Sequence, residues 1–211
     1  MTSQVDIPVM RAYHGDMVAE PTRWLADDES KPAPGRLLRI QALVNTVELP
    51  MGPDRLADPE DARPWLIDNE LLASDAAVDE ADLQLLRGVR EALRALLMHN
   101  SGGPSPTGAD LAPLREVADG GSARAELDTG GVVRLAATGD SVAERLVELM
   151  LIMRDAQRDG SWARLKACAN DECRWAFYDR SRNHGGTWCE MSACGNKLKN
   201  REFRARRRKA T

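Results

Sequence analysis

A chain of 211 residues with 43% hydrophobic content falls in the ordinary range of soluble globular proteins and has room for one or two domains. Its net charge of −4 hides a division: from Arg164 onward there are thirteen Lys+Arg against five Asp+Glu, and before it sixteen against twenty-eight. A basic end on an acidic body points to a polyanionic partner for that end alone, the alternative being a highly charged solvated surface.

The first thirty residues carry acids, prolines and no sufficient apolar run, and the apolar stretch Leu146 to Met153 is broken by Glu148. The sequence therefore predicts no secretory signal, no membrane span and a cytoplasmic chain. Residues 1–35 read as an irregular arm with Pro8, Pro21, Pro32 and Pro34.

Apolar residues at 37, 40, 43, 44 and 47 predict a helix from Leu37 to Leu49, ended by Pro50, Gly52 and Pro53. Pro64 is placed in the first turn of a short helix, PWLIDNELLAS. Asp79 to Asn100 carries the clearest stripe: Leu83, Leu86, Val89, Leu93 and Leu96–Leu97. After the loop SGGPSPTG (101–108), a short helix is expected over Asp110 to Ala118. Thr129-Gly130-Gly131 between residues 124–128 and 132–136 predicts a β-hairpin. Ser141 and Glu144 form a capping box for a helix to about Arg158. That helix is expected to receive the C-terminal module, with Trp162 and Leu165 near the joint.

All four cysteines fall between Cys168 and Cys194, as two pairs (CANDEC and CEMSAC) separated by fifteen residues. Paired thiols on two short loops suit a tetrahedral metal site, with Zn²⁺ the usual occupant. Closure of the loop is offset by metal binding, about 10–16 kcal/mol for structural zinc. Cys168, Cys173, Cys189 and Cys194 are therefore the candidate ligands, and four thiolates leave no open position for catalysis. Two disulfides are the alternative pairing, and His184 the alternative ligand. Six of the nine aromatics lie between Trp162 and Phe203, either as core around the metal or as base-stacking rings.

The segment RLKACANDECRWAFYDRSRNHGGTWCEMSACGNKLKNREFRAR resembles the CGNR zinc finger. LLRIQALVNTV (37–47), Pro64-Trp65-Leu66 and LLRGVREALRALL (85–97) resemble the ABATE domain of stress-induced bacterial transcription regulators. The resemblance maps the finger's four ligands onto the same four cysteines and its Asp-x-Ser-Arg-Asn segment onto Asp179 to Asn183. Two departures stand out. The family's naming Arg is Lys197, which keeps the charge and loses the planar fork. Gly185-Gly186-Thr187 replaces basic residues before Trp188-Cys189.

The expectation is a mainly α protein. A helical domain (36–160) with one small hairpin, a candidate ligand sensor, precedes a four-cysteine finger with a basic C-terminal helix (161–211). The resemblance implies DNA binding and transcription control. Arg180, Arg182, Lys197, Lys199, Arg201, Arg204, Arg207 and Arg208 are the candidate nucleic-acid contacts; on a helix after Cys194, positions 197, 201, 204 and 208 share one face and form a row of phosphate-binding cations. Asn45, Thr46 and Arg90, polar groups in or beside apolar stripes, are candidates for an effector site, or else satisfy one another. A finger that binds proteins instead of DNA is the alternative function. A homodimer is compatible with a regulator, although no heptad seam supports it. No enzyme is expected: the three histidines (14, 99 and 184) sit in no catalytic motif, and Gly139 to Glu144 reads as a helix cap.

Overall fold

The computed structural model describes residues 29–196. Five α-helices occupy the first part: α1 Leu37–Val44, α2 Pro59–Asp68, α3 Glu80–Asn100, α4 Ala112–Gly120 and, after the hairpin of β1 Ala123–Leu127 and β2 Val133–Ala137, α5 Val142–Asp159. A single turn (Trp162–Arg164) leads into a second antiparallel pair, β3 Leu165–Ala167 and β4 Ala176–Tyr178. The fold is mainly α, as expected, with one more small hairpin than the sequence suggests.

The helices start where the chain supplies caps. Asp79 accepts from the Asp82 N–H at 2.9 Å while the Asp82 carboxylate accepts from the Asp79 N–H at 3.2 Å, closing a capping box on α3. Ser141 and Glu144 do the same for α5, which ends on Gly160 in the left-handed region (φ 81°). The α2 start differs from expectation. Asp58 accepts from the N–H groups of Glu60 and Asp61, Pro59 takes the first position, and Pro64 sits inside the helix, where it forgoes one backbone bond.

Helix α1 is also shorter than its apolar pattern. Beyond Val44 the backbone turns to other partners: Arg55 donates to the Thr46 carbonyl at 2.8 Å and Glu48 to that of Pro53 at 3.1 Å, forming a loop that doubles back. The local helical preference yields to this pairing.

Ile40, Leu43, Leu83, Leu86, Leu93, Leu97, Leu146 and Leu149 form the centre of the core, each at 2% exposure or below. The same core continues into Leu165, Ala167, Ala176 and Tyr178, so β3 and β4 share it with the helices. The C-terminal part does not dock mainly on α5, as anticipated. β3 lies along α3, and β4 touches α1; the α5 contact is through the Trp162 turn. Polar groups at the ends of α3 and α1 decide this. Asn100 donates to the carbonyls of Trp162 and Leu165, both at 2.9 Å, and Ser101 to that of Ala167 at 2.6 Å. α5 presents mostly apolar atoms to the core and offers β3 no such donors.

Candidate metal centre and nucleic-acid face

The β3–β4 hairpin carries the first cysteine pair. Cys168 follows β3, and its N–H donates to the Trp175 carbonyl at 2.9 Å. A tight turn on the Asn170 carbonyl, which accepts from Cys173 (2.8 Å) and Arg174 (3.0 Å), returns the chain, with Arg174 at φ 49°. The second pair flanks and enters a wider turn, Met191–Gly195: Cys189 precedes it and Cys194 lies on it, and the Cys194 and Gly195 N–H groups share the Glu190 carbonyl at 3.1 Å. Ala169 donates to the Thr187 carbonyl at 3.0 Å and stitches the two segments together.

The four sulfurs lie within 4.8 Å of one another. Cys173 and Cys189 are 3.6 Å apart and Cys189 and Cys194 3.8 Å. A tetrahedron with metal–sulfur bonds of about 2.3 Å has edges of about 3.8 Å, whereas a disulfide needs about 2 Å. All four thiols are free, so the disulfide alternative is not what the fold builds. His184 lies apart from this cluster on an exposed loop. Asn170, 5% exposed, donates its side-chain N–H to the Cys194 sulfur at 3.6 Å, the outer contact that orients a thiolate ligand.

The thiols are coupled. Hydrogen bonds from Cys173 and Cys189 hold the Cys168 thiol down to about 2, and the bond with Cys168 pushes Cys173 up to about 12 and Cys189 upward too. The soft donor set and its spacing fit a divalent metal.

Behind the cluster, a buried ion pair fixes the loop from Asp179 to Thr187. Lys166 Nζ lies 2.9 Å from Asp179 Oδ2, with 6% and 3% of the side chains exposed. Lys166 also donates to the carbonyls of His184 and Gly186. Burial opposes the Asp179 charge. Hydrogen bonds from Lys166, the Ser181 hydroxyl and the N–H groups of Ser181 and Gly186 outweigh it and hold the pKa well below the ordinary carboxylate range. A Cβ at Gly186 would come 2.6 Å from Asp179 Oδ1, so this loop geometry requires glycine there. The loss of a cation at position 186 thus has a steric reason.

The loop presents Arg180 and Arg182 to solvent. Arg180 is anchored, donating to the Pro32 carbonyl at 2.9 Å and lying 5.6 Å from the Tyr178 ring centre. The other expected phosphate contacts (Lys197, Lys199, Arg201, Arg204, Arg207 and Arg208) and the basic helix they define lie outside the described residues. Trp175 and Phe177 are buried, as core rings, while Trp188 is half-buried.

Asn45, Thr46 and Arg90 are each engaged in internal hydrogen bonds. Arg90 forms a two-toothed contact with Asp54 at 2.6 and 2.9 Å and reaches the Thr46 hydroxyl at 3.1 Å. Asn45 accepts from the Ala176 N–H at 2.7 Å and donates to its carbonyl at 2.9 Å, completing the open edge of β4. Lys31 continues that edge by accepting from the Tyr178 N–H at 3.0 Å. Glu29 accepts from Asn45 and from the Trp175 ring N–H. Sequence reasoning missed Gln41, Glu29 and Lys31 as members of this seam. Their pattern in sequence is only that of an interrupted apolar face and an irregular arm.

A helical body holding a four-cysteine knuckle at its surface defines a zinc-finger protein of two parts. The CGNR zinc finger family matches residues 164–207. The ABATE family, described as "Putative stress-induced transcription regulator", matches residues 39–158. The chain belongs to the ABATE family and carries its CGNR finger. No curated protein matches it. Among the described residues no helix is long and apolar enough to cross a membrane.

Proposed function

We propose that this protein is a zinc-dependent transcription regulator whose finger binds DNA. The observation that carries the reading is the pairing of a four-cysteine, cationic finger with an acidic body: Arg180 and Arg182 stand on a loop pinned by the Lys166–Asp179 pair, and the stretch from Arg164 onward holds eight more basic than acidic residues. Cations on a rigid support neutralise phosphates without reorganising, and the acidic body turns the opposite face away from the polyanion. Zn²⁺ would be held by Cys168, Cys173, Cys189 and Cys194, where it would neutralise the sulfurs and fix both turns. Four sulfur ligands leave no open coordination position, so the role of the metal is structural. Arg180 and Arg182 give affinity more than sequence selection, and Lys197 and its successors extend the contact.

A titration of the zinc-loaded full chain on duplex DNA against salt tests this. Binding should weaken steeply with salt, and Arg180→Ala with Arg182→Ala should reduce the log–log slope by about two. Absence of binding at low salt with zinc present would remove the proposal.

A second reading is favoured by one observation: the tip of the β1–β2 hairpin exposes Leu127 (71%), Val132 and Val133 (66%). An apolar tip of this kind suits a protein contact. Binding of a partner that persists after nuclease treatment, with no DNA affinity of the isolated chain, would select it.

A further inference from the structure

A cleft of about 300 Å³ opens between the second half of α3, the loop at residues 104–110 and the first cysteine turn. Two arginines from different parts of the protein line it: Arg94 from α3 and Arg174 from the residue after Cys173. Arg94 is 3% exposed at its side chain. It spends three of the five guanidinium N–H groups on Glu91 (3.0 Å), the Arg174 carbonyl (2.9 Å) and the Val44 carbonyl (2.7 Å). The Arg174 Nε is buried and has no partner among the described residues, and its terminal nitrogen has only a 3.5 Å link to Asp171. Burial, and then the charges of Arg90 and Arg174, lower the Arg94 pKa against the pull of Glu91.

Two carboxylates at the rim, Glu91 and Asp110, match the two guanidiniums in charge. Glu91 is shared between Arg90 and Arg94, each at 3.0 Å. Asp110 accepts from the Thr107 N–H (2.7 Å) and hydroxyl (2.8 Å). What the cleft retains is unpaired N–H groups, the Arg174 Nε and two on Arg94, beside an apolar wall that includes Met98, Pro104 and Pro106. Planar forks with unspent N–H groups match an oxyanion, and the wall matches a short apolar body.

We infer that this cleft binds a small organic oxyanion, a carboxylate or a phosphate monoester with a compact apolar group. The oxyanion sits between Arg94 and Arg174. Because Arg94 belongs to the helical body and Arg174 to the finger, a bound anion clamps the first cysteine turn to α3. That this clamp tunes DNA affinity rests on the regulator reading above; the binding itself does not.

The test titrates zinc-loaded full chain, without DNA, with benzoate and with phenyl phosphate, by calorimetry and thermal unfolding. Saturable binding of one equivalent of either probe is expected, and which probe binds tells the carboxylate from the phosphate class. Arg174→Gln should weaken binding about tenfold or more while leaving zinc content and unliganded stability unchanged. Arg174→Lys should restore only part of it, since it keeps the charge and loses the fork. No saturable binding of either probe, or equal affinity in Arg174→Gln, overturns the inference. A chain that binds a probe but no DNA keeps this site and loses the regulator reading.

Discussion

Asn45 shows how one side chain joins the two parts of the molecule. Its amide supplies both partners of the Ala176 peptide groups, which are buried at the edge of β4. Asn45→Ala would leave an N–H unpaired there and weaken the carbonyl's bonding to the longer Gln41 contact at 3.2 Å. A loss of about 2–3 kcal/mol is expected, read as a lower midpoint in urea with an unchanged slope. Asp179 offers a titrable counterpart. Its native pKa is depressed, so its contribution is complete above the unfolded value of about 4 and is lost as pH falls through the lower native value. Asp179→Asn strands the Lys166 charge and should cost about 3–5 kcal/mol at pH 7. The gap between wild type and Asp179→Asn should narrow below about pH 4, a comparison in which acid release of metal affects both chains alike.

At the scale of elements, caps carry much of the specification. Ser141→Ala removes one half of the α5 capping box and should destabilise the chain by about 1 kcal/mol in thermal unfolding. The α3 and α5 boundaries, the first hairpin and the clustering of the four cysteines were all legible in sequence, because each has a local signal: a capping pair, a Gly-Gly turn, a repeated spacing. The elements misread are those set by distant partners. α1 stops at Val44 because Thr46 and Glu48 pair with Arg55 and Pro53. The second hairpin escaped notice because its strands are three residues long and gain their register from Asn45 and Lys31 across the seam. Asn45, Thr46 and Arg90 were legible as polar groups among apolar ones, while the internal bonds they make depend on distant partners that periodicity does not show. Arg94 and Arg174, eighty residues apart, had no joint signal at all.

For the whole molecule, one hydrophobic core runs from α1, α3 and α5 into β3 and β4, so the helical body and the cysteine cluster are mechanically continuous. Metal lost from the cluster would free both cysteine turns, and with them Arg174 and the seam at Ala176. The proposed function depends on the four sulfurs holding one ion. The most direct measurement is the metal content of the full chain purified without chelator, paired with a count of reactive thiols before and after chelation. One zinc per chain and four thiols that react only once it is removed is the expected result. A metal-free, folded chain whose cysteines are joined as two disulfides would contradict the account.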